Sequence, residues 1–151
     1  MIRNIYISLK CSYLLIIFVF GCIFFFEVES FTPARRLAHS SILIGNKIYF
    51  FGGTNSDSIS NELFYLDVSQ PFNVANPPWF DLSGIPFGSA WATVVLNDID
   101  NDPNIYLFGG FMLDMKTLND SFKSVIHRFN INSSTWDIPP VSDNQPERRR
   151  K

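Results

Sequence analysis

One pattern constrains this chain more than any other. Ile48-Tyr49-Phe50-Phe51-Gly52-Gly53 returns as Ile105-Tyr106-Leu107-Phe108-Gly109-Gly110, and Trp79-Phe80-Asp81-Leu82 returns as Trp136-Asp137-Ile138, both at an offset of 57 residues. Two unrelated anchors at one shared spacing are hard to obtain by accident. Self-similarity at a period of about 50 residues marks an array of supersecondary units, each unable to bury its apolar face alone. A looser echo lies between the anchors, where Leu63 to Val68 resembles Val125 to Ile131.

Each unit reads as β structure. Ser40–Ile44 and Lys47–Phe51 are predicted strands around Gly45-Asn46, a pair that tolerates the positive φ of a tight hairpin. The pairing recurs as Ala90–Leu96 and Ile105–Phe108, joined by the polar loop Asn97–Asn104. Further strands are expected at Leu63–Val68 and Trp79–Leu82, with second-unit partners at Ser124–Ile131 and Thr135–Ile138. Polar or Pro-rich stretches separate them, notably Thr54–Asn61, Gln70–Pro78 and Asp114–Asp120. No window beyond residue 30 carries a 3.6-residue apolar period, so the fold class is all-β.

Four strands per unit at this period resembles a propeller blade, and specific residues resemble the kelch-repeat family. They are Arg36 and His39 within Pro33–Ser40, the double glycine Gly52-Gly53 after an Ile-Tyr-aromatic strand, Tyr65 and Asp67, and Trp79. The second unit keeps Gly109-Gly110 and Trp136, but has Trp91 near the place of His39 and Phe129-Asn130 in place of Tyr-x-Asp. The resemblance implies a kelch-type β-propeller segment of two four-stranded blades, residues 31–84 and 85–140. It also implies a structural hydrogen bond for His39 at a blade edge. Read as residues, the glycines end a strand where a missing Cβ permits strained angles and close approach. The tryptophans are large apolar bodies suited to filling the space between blades. Such propellers close a ring with about 4–8 blades. Two units therefore predict either the N-terminal part of a larger propeller, a truncated gene product, or a ring completed by further copies of the chain.

The amino terminus predicts an address. Tyr13 to Phe26 is an unbroken apolar run of 14 residues, preceded by Arg3 and Lys10 and followed by Glu27-Val28-Glu29-Ser30. A basic region, a short apolar core and a small residue match a secretory signal peptide over residues 1–30, cleaved between Ser30 and Phe31. The alternative is an uncleaved anchor over residues 5–28, which would tether the protein to a membrane. Both cysteines, Cys11 and Cys22, fall within this segment, leaving no disulfide for the remainder. Asn119 and Asn132 begin N-x-S acceptor patterns for glycosylation, consistent with an extracellular destination. Residues 141–151, ending in Arg148-Arg149-Arg150-Lys151, carry no strand pattern and are expected to be a disordered basic tail.

Searching the rest for chemistry yields little. The net charge is −2, which offers no footprint for nucleic acid. The double glycines lack the helix and P-loop lysine of a phosphate cradle. Asp98-Ile99-Asp100-Asn101-Asp102 has Pro103 and Gly109 where an EF-hand loop needs Gly and Glu, so it reads as a solvated loop. His39 and His127 stand at unrelated repeat positions, and a zinc site wants three or four ligands. No catalytic residue, metal or cofactor is expected. Galactose oxidase, a copper enzyme with a kelch-type propeller, joins a tyrosine to a cysteine. Here Tyr49, Tyr65 and Tyr106 have no cysteine beyond residue 30, so an oxidase reading needs residues past Lys151. The expectation is a secreted or membrane-tethered binding module for protein or carbohydrate. Its candidate surfaces are the polar loops Thr54–Asn61 and Asp114–Ser121, each following a double glycine.

Overall fold

The structure, a computed structural model, describes residues 31–82, 84–99, 102–117 and 126–140. The signal or anchor segment with Ser30, the acceptor Asn119 and the tail 141–151 lie outside the described residues. Ten strands form in order: β1 Ser40–Ile44, β2 Lys47–Phe51, β3 Leu63–Asp67, β4 Trp79–Asp81, β5 Phe87–Ala90, β6 Thr93–Ile99, β7 Asp102–Phe108, β8 Phe111–Asp114, β9 Ile126–Asn130 and β10 Thr135–Asp137. No helix among the described residues is long and apolar enough to cross a membrane. The all-β expectation holds.

β1-β2-β3-β4 make one antiparallel sheet in chain order, and β6-β7-β9-β10 make a second. The tight turn at Gly45, with φ 55°, sets Ile44 opposite Lys47 and fixes the register Ile42↔Tyr49↔Tyr65↔Phe80 across the first sheet. Because side chains alternate faces along a strand, one face of that sheet carries Ile42, Tyr49, Phe51, Leu63 and Tyr65. The other carries Phe50, Phe64, Leu66 and Trp79. The second sheet repeats the register as Val95↔Tyr106↔Arg128↔Asp137. Its opposite face carries Val94, Leu96, Ile105, Leu107, His127, Phe129 and Trp136.

The core lies between the two sheets. Tyr49, Phe51 and Leu63 of the first form one buried cluster with Ile105, Leu107 and Phe129 of the second. Ile85, Phe87 and Met112 complete it. Full burial of side chains of this size contributes about 1.5–3 kcal/mol each. The tryptophan face of the second sheet thus packs on the non-tryptophan face of the first, with Trp136 edge-on to Phe51 at 6.2 Å. The contact is heterologous, made by two different surfaces.

Strand positions depart from expectation in the second unit. The expected strand Ala90–Leu96 is broken at Trp91, where φ is +56°, and pairing resumes at Thr93. The polar loop expected at 97–104 is largely hairpin, since β6 runs to Ile99 and β7 starts at Asp102. Cross-strand rungs Asn97↔Asn104 and Asp98↔Pro103 carry the ladder through polar residues. β5 and β8 were not expected; they pair as a separate ribbon, Ala90↔Phe111 through Phe87↔Asp114. The first unit holds a shorter form of that ribbon, the isolated bridge Leu37↔Thr54. Ala38 there has φ +58°, the same kink as Trp91. The two units share a kinked entry to their first strand, one without a side chain to speak of and one with an indole.

Candidate functional site

The two polar loops singled out from the sequence meet. The β2–β3 loop, residues 54–61, packs beside the turn after β8, with Ile59 and Met115 both in van der Waals reach of Gly88. They border a cleft of about 250 Å³ lined by Arg35, Arg36, Asn55, Ser58, Glu62 and Met115 among others. The part of the second loop from residue 118 onward lies outside the described residues. Asp114 holds the turn by accepting the backbone N–H of Lys116 at 2.7 Å and of Thr117 at 3.2 Å. These bonds hold its carboxyl below the usual carboxylate range.

The 54–61 loop is braced from within. Asn55 Oδ1 accepts the backbone N–H groups of Asp57 and Ser58, both at 2.9 Å, and the Thr54 hydroxyl lies 2.9 Å from the Ser58 carbonyl. Arg36 closes its base. The guanidinium donates to the Gly52 carbonyl at 3.1 Å, to Ser60 Oγ and to the Glu62 carboxylate, and it stacks 4.7 Å over the Phe64 ring. Its donors are spent on the fold, so Arg36 shapes the cleft rather than offering a charge to a ligand. Neighbouring Arg35 is exposed on the rim.

Gly52-Gly53 belongs to the same assembly. Gly52 takes φ +57°, and a β-carbon there would overlap the carbonyl oxygen of Ser89 in β5. The missing side chain lets Gly53 N–H donate to that carbonyl at 2.7 Å, while Ser89 N–H donates back to Ser60 at 3.0 Å. Gly53 itself, at φ +104°, makes room for Leu37 and His39 of its own unit. Gly110, at φ +66°, does the same for Ala90 and Ala92, but Gly109, at φ +72°, has nothing within 4 Å of its absent β-carbon among the described residues.

The remaining motif residues sit as follows. His39 lies against the Phe50 ring at 5.6 Å. Trp79 meets Phe50 and Phe64 edge-on, at 5.5 and 5.6 Å, on the outer face of the first sheet. Trp136 packs on Phe129 and Phe87 in the core. Tyr65 stacks on Phe80 at 4.9 Å, and the Lys47 ammonium lies 4.5 Å from the centre of its ring. Asp67 accepts Ser69 N–H at 2.8 Å, and hydrogen bonding from Ser69 lowers its pKa. Asn130, at the Asp67 position of the second unit, accepts Ser133 N–H at 2.8 Å and so performs the same turn-holding task. His127 is buried against Phe87 at 4.1 Å. Asn132 is exposed on the β9–β10 turn. Among the described residues no three His, Cys, Asp or Glu side chains gather where they could hold a metal.

Sequence reasoning missed Ser89 and Glu62, while Met115 falls within the Asp114–Ser121 loop that it did name. Ser89 acts through backbone bonds to Gly53 and Ser60 of the first unit, which no local pattern announces. Glu62 carried a faint signal, as the acidic residue opening the strand opposite a double glycine.

No family model matches the chain. Among curated proteins it is similar to Kelch domain-containing protein 2 of Bos taurus, 34% identical over 99 residues that cover 64% of this chain and 22% of that protein. Tip elongation aberrant protein 1 of Schizosaccharomyces pombe is 31% identical over 123 residues, 78% of this chain and 10% of that one. Kelch domain-containing protein 3 of Bos taurus is 27% identical over 122 residues, 76% and 30% of the respective lengths. The chain therefore spans 10% to 30% of the length of these relatives. The solved structure of YjhT aligns at a TM-score of 0.47 and 18% identity, covering 70% of this chain and 28% of that one.

Proposed function

Because the chain fits the kelch-repeat family, we propose that it is a protein-interaction segment of a β-propeller, binding through the cleft between its 54–61 loop and the turn after β8. One observation supports this reading above the rest: two loops from different repeats converge on one cleft whose shape is set before any ligand arrives. The Asn55 and Thr54 bonds and the Arg36 clamp hold the loop, so binding does not have to order it. The lining mixes backbone-like polar groups with Ile59 and Met115, a surface suited to an extended peptide or loop of a partner protein. A carbohydrate would use the same Asn and Ser groups, and secretion, by the amino-terminal apolar segment, would place either partner outside the cell.

A photoreactive side chain at Ser56, on the loop tip, tests the site. We expect a discrete protein adduct from native extract or medium, and none from the same probe at Val74 on the β3–β4 connection. Equal labelling from both positions, or adducts from neither, would refute the cleft as the binding surface. A glycan array probed with the same protein separates a carbohydrate ligand from a protein one.

A further inference from the structure

The turn between β9 and β10 holds the acceptor pattern Asn132-Ser133-Ser134, which no role assigned so far uses. Such a pattern needs an accessible asparagine amide and a hydroxyl two residues on. Asn132, Ser133, Ser134 and Thr135 are all exposed. Asn130 holds the turn, its Oδ1 accepting Ser133 N–H at 2.8 Å and the Ser133 hydroxyl at 2.9 Å. The Asp102 carboxyl, bonded by the side chains of Asn130, Asn104 and Asn132, sits below the usual carboxylate range. An asparagine amide has two N–H donors, so one that carries a sugar keeps a donor for Asp102. A bulky group at Asn132 thus displaces no buried contact.

Ser134 is an independent sign. Its φ is +54°, a left-handed conformation that costs a residue with a β-carbon about 1–2 kcal/mol. Glycine takes it without that cost. Among the described residues the Ser134 hydroxyl makes no hydrogen bond; the turn is held instead by Ser133, whose Oγ lies 2.7 Å from Thr135 Oγ1. The fold gives no reason for a hydroxyl at 134, whereas the acceptor pattern requires one. The place is also clear of the cleft. β7 starts at Asp102, whose carboxylate accepts Asn130 Nδ2–H at 2.6 Å, and ends at Phe108, from which the chain goes on to β8 and Met115. The seven residues of β7, about 20 Å of strand, separate those two ends.

We propose that Asn132 carries an N-linked glycan, which caps the end of the second sheet away from the cleft and leaves the cleft open to its partner. In the transfer, Asn132 Nδ2 forms a bond to the anomeric carbon of the sugar and gives up one proton. The bond from that carbon to the pyrophosphate of a lipid-linked oligosaccharide donor breaks, and the lipid pyrophosphate leaves. The donor meets the chain only on the secretory route, so the proposal rests on export by the amino-terminal segment. It does not rest on what the cleft binds.

The test expresses the full-length chain, with its own amino terminus, in a secreting yeast or animal cell. Glycans are removed by an amidase in heavy-oxygen water, which turns each glycosylated asparagine into a labelled aspartate, and the digest is mapped by mass spectrometry. Label at position 132 is expected. Asn132→Gln and Ser134→Gly should each abolish it, and glycine suits the left-handed turn, so the second loss does not come from misfolding. Ser133→Ala removes a turn hydrogen bond but leaves the acceptor pattern, and should keep the label. Asn119, read in the same digest, reports whether the chain met the donor. Label at 119 without label at 132, or label at 132 that survives Ser134→Gly, would overturn the site itself. No label at either position overturns the proposal through the address, a failure distinct from that of the cleft, which the Ser56 probe reads.

Discussion

Replacing Gly52 by alanine should damage the fold far more than replacing Gly45, although both residues sit in the left-handed region at φ +57° and +55°. Alanine at φ near +55° costs about 1 kcal/mol at either place, from its β-carbon against the following carbonyl. At Gly45 that is the whole cost, because nothing lies within 4 Å of the new atom. At Gly52 the new atom overlaps the Ser89 carbonyl and lies 3.0 Å from its carbon, both of them backbone. β5 must retreat, and two hydrogen bonds are stretched: Gly53 N–H to Ser89 and Ser89 N–H to Ser60. Ser89 is 1% exposed, so water does not replace them. A buried polar group left unsatisfied costs about 1–3 kcal/mol. With two such bonds the sum for Gly52→Ala is about 3–7 kcal/mol, and about 4 kcal/mol if both are only stretched. With a urea slope of about 2 kcal/mol/M the midpoint should drop by about 2 M, against about 0.5 M for Gly45→Ala. Equilibrium urea unfolding followed by tryptophan fluorescence measures both. Midpoints within about 0.5 M of each other would show that the two units are not locked together at Gly52.

Other contacts carry outcomes of their own. Arg36→Met should cost about 2 kcal/mol by urea unfolding, since Gly52, Ser60 and Glu62 lose a largely buried partner. Asp137→Asn, at the more exposed pair with Arg128, should stay within about 1 kcal/mol. Leu107→Ala, at a fully buried position, should cost about 2–5 kcal/mol, while Val74→Ala at 87% exposure changes little. Stability should fall at both ends of a pH series of thermal melts. Asp114 and Asp137 are lowered from 3.8, by the Lys116 N–H and by Arg128 respectively, so the fold binds fewer protons than the unfolded chain. Their contribution is complete above about pH 4 and lost as pH drops through the lowered values. Tyr49 is raised from 10.0 by burial, so its contribution is present below about pH 10 and lost as the pH climbs further. A melt that is flat from pH 2 to 5 would contradict the assigned carboxylate bonds.

Much of the fold was legible because its signals are local. The Gly45 turn and the alternation on either side place β1 and β2 at their predicted bounds, and the shared offset announces a second sheet of the same kind. β5 and β8 were not legible, since Phe87–Ala90 and Phe111–Asp114 are short strands held by partners far along the chain. The expected loop at 97–104 misled for the opposite reason: its Asn and Asp residues suggest a turn, but tertiary pairing draws them into the ladder. At the cleft, loop positions could be read from polarity, whereas the clamp between Arg36 and Glu62 could not, because an ion pair across 26 residues leaves no spacing to recognise.

The rung where Tyr65 meets Phe80 in one repeat is the rung where Arg128 meets Asp137 in the other. A stacked aromatic pair and an ion pair are chemically remote, yet both fasten the fourth strand to the third in one register. Passing between them one substitution at a time requires a hybrid rung. Arginine opposite phenylalanine still attracts the ring face, while tyrosine opposite aspartate sets a carboxylate against an aromatic ring's negative face. Starting from the aromatic pair, the passable route therefore changes the third strand first, and starting from the ion pair it changes the fourth strand first. Duplicated repeats can drift apart along such ordered steps until little but the glycines and tryptophans still declares their common origin.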